Sequence, residues 1–77
     1  MEIRAIFAEN LRQRRLACGL SQEALAHEAD IDRTYVSALE RGLYSPTIDM
    51  LDKLATVLKT EAYALLMPAS GARKRRP

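Results

Sequence analysis

Seventy-seven residues with a single cysteine, Cys18, make one small domain and exclude both an internal disulfide framework and a Cys/His zinc set. Twelve Lys/Arg face ten Asp/Glu for a formal charge of +2, but Arg73, Lys74, Arg75 and Arg76 crowd the C-terminus. The body before them holds eight bases and ten acids, so bulk charge gives no argument for an acidic partner.

The apolar spacing is helical from end to end, and nothing alternates as a strand does. A first helix is expected over residues 3–17, with Ile3, Phe7 and Leu11 on one face and Gly19 as its stop. Ser21 caps a second helix over residues 22–29, with Leu20 and Leu25 as a hydrophobic staple. Asp32 caps a third over residues 33–41, and Ile31 with Val36 repeats the staple. A fourth begins after Pro46 and Thr47 and carries Ile48, Leu51, Leu54, Ala55 and Leu58. Thr60 is placed to cap a short fifth helix with Tyr63, Leu65 and Leu66, ended by Pro68. The expected fold is all-α: a compact five-helix bundle over residues 1–67, then a polar, basic tail over residues 68–77.

Only Asp30, Ile31 and Asp32 separate the second and third helices. So short a turn forces a large crossing angle, the helix-turn-helix arrangement whose second helix can enter a DNA major groove. At about 100° per residue, Val36, Leu39 and Glu40 share the inner side of the third helix. Thr34, Ser37, Ala38 and Arg41 share the outer side, with Arg33 and Tyr35 flanking its leading end. That outer side is polar at its start and small in the middle, a shape that lets a backbone approach a groove floor. Arg33 can bond guanine O6 and N7, and Thr34 can meet a base edge or a thymine methyl. Tyr35 can donate its hydroxyl to a phosphate. A merely solvated surface helix is the bland alternative, and the tight turn with the polar leading end weighs against it.

Glu40 is an acid on the apolar side of its helix and needs a cation. Arg15, at the edge of the packed face of the first helix, is the expected partner. Ser21 and Gln22 leave free backbone N–H groups at a helix N-terminus, a ready phosphate site. The Gln22 side chain can bond a phosphate or a base edge. His27 reads as a surface histidine and Cys18 as a small apolar filler. No nucleophile–base pair, metal set, cofactor site or small-molecule effector pocket is expected, and neither is enzyme activity. Met1-Glu2-Ile3-Arg4 does not open a signal peptide, and no apolar run reaches membrane-spanning length. A reducing cytoplasm is the expected compartment.

The run LRQRRLACGLSQEALAHEADIDRTYVSALERGLYSPTIDMLDKLATVL resembles the lambda-repressor-like, Cro/Xre-type helix-turn-helix domain, the likeness extending over about residues 7–66. GLSQEALA, YVSALERG, SPT and LDKLATVL carry it together. DRTYVSALERG is most similar to the small controller proteins of restriction–modification systems. The resemblance implies a sequence-specific, DNA-binding transcriptional regulator. It places Gln22 against the DNA backbone at the half-site edge, and Arg33, Thr34, Tyr35 and Ser37 toward DNA. Arg33, Thr34 and Ser37 are then the base readers. Ser21, Gln22, Tyr35 and the loop residues Arg41, Ser45 and Thr47 hold phosphates. Arg15 and Glu40 match an internal ion pair. Ala38 stands where some relatives carry a polar reading side chain. Arg14 stands where many are apolar, so it must snorkel or reach solvent.

Tyr63, Leu66 and Met67 offer more apolar surface than a short helix can bury on a small bundle. Relatives dimerise there, so a homodimer over a palindromic double-stranded site is expected, its reading helices about 34 Å apart. The tail ARKRR is either a salt-dependent phosphate contact or a solvated terminus. The alternative function is an antitoxin-type protein-interaction module with secondary DNA binding.

Overall fold

The computed structural model describes residues 2–68. Its elements are α1 (Ile3–Ala17), α2 (Gln22–Ala29), α3 (Arg33–Glu40), α4 (Ile48–Val57) and η1 (Ala62–Leu66), with no strand among the described residues. Apart from Pro68, the expected basic tail lies outside the described residues.

Side chains start three of the helices. Ser21 Oγ accepts from the Ala24 N–H at 2.9 Å, and Thr47 Oγ1 from the Met50 N–H at 3.0 Å. Asp32 Oδ1 accepts more weakly, from the Thr34 N–H at 3.4 Å. Each such cap contributes about 1 kcal/mol. One kind of turn ends all four α-helices. A residue in the left-handed region reverses the chain, and the next N–H returns to a carbonyl in the last turn. Gly19 (φ +72°) and Gly42 (φ +75°) do this without a Cβ, whereas Asp30 (φ +59°) and Lys59 (φ +56°) do it with one. The returning bonds are Leu20 N–H to Arg15, Ile31 to Ala26, Leu43 to Ala38 and Thr60 to Ala55, all between 2.9 and 3.1 Å.

The fifth helix expected from the sequence is corrected on two points. It is a 3-10 turn of five residues, and no side chain caps its start. Thr60 belongs instead to the stop of α4. Five residues are too few to offset the cost of nucleating an α-helix, and the tighter 3-10 turn suits so short a piece.

Phe7, Leu11, Leu25, Val36, Leu39, Leu54, Leu58 and Leu65 are almost wholly buried and form the centre of the core. Burial of each stabilises by about 1.5–3 kcal/mol against full exposure. Helix α1 packs on α3 and η1, α2 packs on α3 and α4, and α4 packs on η1.

A polar stripe at positions 10 and 14 of α1 and at Cys18, its C-cap, bonds backbone carbonyls of the chain beyond α4. Asn10 Nδ2 donates to the Leu65 carbonyl at 2.9 Å and the Met67 carbonyl at 2.7 Å. Arg14 Nε donates to Leu58 O at 2.8 Å, and its Nη2 to Lys59 O at 2.9 Å. Cys18 Sγ lies 3.4 Å from the same Leu58 carbonyl. Arg14 thus holds the negative end of α4, a use of the cation that also complements the helix dipole.

Candidate nucleic-acid interface

The short Asp30–Asp32 connection seats α3 against α2, and α3 in turn rests on α1. Val36 and Leu39 fix its inner side in the core. Glu40 completes that side. Its side chain is 4% exposed and meets Arg15, itself 10% exposed. Arg15 Nε donates to Glu40 Oε2 at 2.6 Å and Nη2 to Oε1 at 3.0 Å, a bidentate fork. Arg15 Nη1 also donates to the Leu20 carbonyl at 2.9 Å. The guanidinium is held more firmly protonated than usual. The hydrogen bond to Glu40 is the main cause, desolvation opposes it, and the carboxylate charge adds to it. A third group joins the pair: Gln22 Nε2 donates to Glu40 Oε1 at 3.0 Å. The start of α2 and the end of α3 are therefore tied through one carboxylate.

On the outer side, Arg33 and Thr34 are exposed at the leading end of α3, and Arg41 is exposed at its close. The Arg33 guanidinium has no ion pair among the described residues. Its helix has no acid in the first turn, while Glu23 occupies that place in α2 and already complements its positive end. Ser37 is half-buried.

Ala38 is a correction. The helical angle put it on the outer side, but it is 5% exposed. The stop of α3 accounts for this. Gly42 reverses the chain and Leu43 returns to the Ala38 carbonyl, so the loop comes back along that edge of the helix.

Tyr35 is half-buried against the core, with its ring 6.5 Å from that of exposed Tyr44. This pairing brings the α3–α4 loop beside the start of α3. Ser45 and Thr47 in that loop are exposed. The hydroxyls of Ser21 and Thr47 accept from their own helices, so each has its hydrogen left to donate. Tyr63 is 65% exposed and Met67 49% exposed, while Leu66 is half-buried and leans on the core.

Asn10, the Gln22–Glu40 bond and Tyr44 were not singled out from the sequence. Asn10 had a signal. At about 100° per residue it falls on the Phe7 and Leu11 side of α1, where a polar side chain needs a partner as Glu40 does. Among the described residues no group of His, Cys, Asp and Glu could hold a metal ion, and no helix is long and apolar enough to cross a membrane.

A family profile described as helix-turn-helix matches residues 11–65. A hypothetical transcription factor of Neisseria meningitidis is 43% identical over 67 residues, covering 87% of this chain and 63% of its own length. The crystal structure of the Neisseria factor superposes with a TM-score of 0.90 at 40% identity, over 97% of this chain and 86% of that one. The control protein C.BamHI of Bacillus amyloliquefaciens is 40% identical over 65 residues, 83% of this chain and 80% of its own. The controller protein C.Esp1396I, solved as a tetramer with its natural 35 base-pair operator, is 28% identical with a TM-score of 0.76, over 84% of this chain and 86% of that one. With the profile spanning most of the chain and the helix pair α2–α3 in place, this protein belongs to the helix-turn-helix family of Cro/Xre type.

Proposed function

We propose that the chain is a sequence-specific transcriptional regulator that binds a palindromic operator as a homodimer, in the manner of a restriction–modification controller protein. The observation that carries this reading is the division of α3: an inner side fixed by Val36, Leu39 and the Glu40 ion pair, and a leading end where Arg33 and Thr34 stand free. Likeness to control proteins, one of them solved on its operator, supports it.

Arg33, Thr34 and Ser37 read bases in the major groove. Ser21, Gln22, Tyr35, Arg41, Ser45 and Thr47 hold phosphates and set the register. Tyr63, Leu66 and Met67 join two copies, so that two α3 helices lie about one helical turn apart. Residues 1–67 form the binding domain, residues 68–77 are an appended basic tail, and the site of action is the cytoplasm, where the operator lies. The dimer acts by position, blocking or recruiting polymerase according to where the operator lies.

Selection of bound sites from random duplexes tests the proposal. A palindrome with fixed half-site spacing is the expected result. An absence of any enriched sequence would contradict it, and enrichment of a lone half-site would remove the dimer.

A further inference from the structure

The Arg15–Glu40 pair has a third member whose position bears on DNA. Gln22 stands at the start of α2 beside the exposed Ser21, and its side chain is bonded inward to Glu40. A carboxylate only accepts, so the carboxamide must turn its NH2 group toward Glu40. Glu40 Oε1 already receives Arg15 Nη2, and Oε2 receives Arg15 Nε, so the acid itself is clamped. The orientation of Gln22 is therefore set by a group that cannot rotate away. One amide N–H points to the acid, and one N–H remains as a donor.

We infer that Glu40 is a positioning residue for DNA binding: it holds the Gln22 carboxamide so that the remaining N–H is presented to one backbone phosphate in each half-site. A phosphate oxygen only accepts, which matches the one group the arrangement leaves free to donate. The geometry also fixes this side chain before DNA arrives. A free glutamine loses several rotatable torsions on binding, and a held one loses fewer. The ion pair thus does two things. It fastens α3 to α1, and it aims the α2 contact. This inference rests on the DNA-binding reading above.

The test is ethylation interference on the selected operator with wild type, Gln22→Met and Glu40→Met. In wild type, one phosphate per half-site near the start of α2 should interfere when ethylated. Gln22→Met should abolish interference at that phosphate and weaken binding by about 2- to 12-fold, the worth of one hydrogen bond. Glu40→Met, which has the same length but no oxygen to accept the Gln22 N–H, should abolish it at the same phosphate while the other phosphates keep their pattern. Partial unfolding cannot mimic this, because it weakens binding to every modified duplex alike. A Glu40→Met pattern identical to wild type, only fainter, overturns the inference. So does a Gln22→Met protein that loses preference at one base pair instead of contact at one phosphate. If Glu40→Met does not fold, the side-chain amide signals of wild-type Gln22 decide. Held, they give one proton shifted downfield and slow to exchange, whereas a carboxamide turning freely about its χ angles gives two separate protons at ordinary glutamine positions that both exchange fast. A wild-type protein that selects no operator at all removes the DNA reading and this inference together.

Discussion

Helix α1 holds two parts of the molecule by two kinds of chemistry. Through Arg15 it grips Glu40, and beyond it Gln22, by bonds between side chains. Through Asn10 and Arg14 it grips the end of α4 and the η1 turn by bonds from side chains to backbone carbonyls. The first grip steadies the helix pair proposed to read DNA, and the second steadies the turn proposed to join two copies. The first is charged, buried and dependent on both partners. In the second only the donor is specified, since any residue supplies a carbonyl. Loss of either should therefore have a different signature.

The largest effect is expected at the charged grip. Arg15→Ala leaves a buried carboxylate without its cation and should destabilise by about 3–5 kcal/mol, measured by urea unfolding. A loss under 1 kcal/mol would mean that the pair is solvated. Its pH behaviour follows from the sign of the shift. Folding raises the proton affinity of Arg15, so its contribution is complete below the ordinary arginine range. It is lost only as pH rises through the still higher folded value. Stability from this group should accordingly be flat through pH 7 to 10, and an alkaline fall there that disappears in Arg15→Ala would refute the assignment.

At the second grip, Asn10→Ala removes two bonds to carbonyls of the η1 region and should destabilise by about 1–3 kcal/mol. It should also weaken self-association, read by sedimentation equilibrium across protein concentrations. Destabilisation without any change in self-association would detach η1 from the interface. Arg14→Ala, half-buried at the end of α4, should cost about 1 kcal/mol and leave operator preference unchanged. The smallest effect is a gain. Lys59 holds a left-handed conformation with a side chain, and Lys59→Gly should stabilise by about 0.5–1 kcal/mol in thermal unfolding.

The same contrast explains what could be read from the sequence. Helix starts were legible because Ser21, Asp32 and Thr47 carry a local signal, and two of the stops because Gly19 and Gly42 do. Arg15 with Glu40 was legible because an acid on the apolar side of one helix needs a cation, and Arg15 stands at the edge of the packed face of another. Asn10 had a signal, as a polar residue on the apolar side of α1, but its partners and those of Arg14 are carbonyls that no side-chain pattern marks. Ala38 was misplaced because helical angles ignore the returning loop, and Tyr35 gained a neighbour, Tyr44, from the same loop. Asp30 and Lys59 end helices in a conformation that glycine normally signals. The fifth helix failed on its length, five residues, and on its start, since Thr60 serves the stop of α4.

The central claim is that α3 reads bases through its free leading end. Binding of wild type and Arg33→Ala to a set of operators differing at single base pairs tests it most directly. The account predicts a loss of about 1–3 kcal/mol on the preferred operator and a flattened preference at one base pair per half-site, with the others unchanged. An equal loss on every duplex, with all preferences intact, would make Arg33 a phosphate contact and contradict the account.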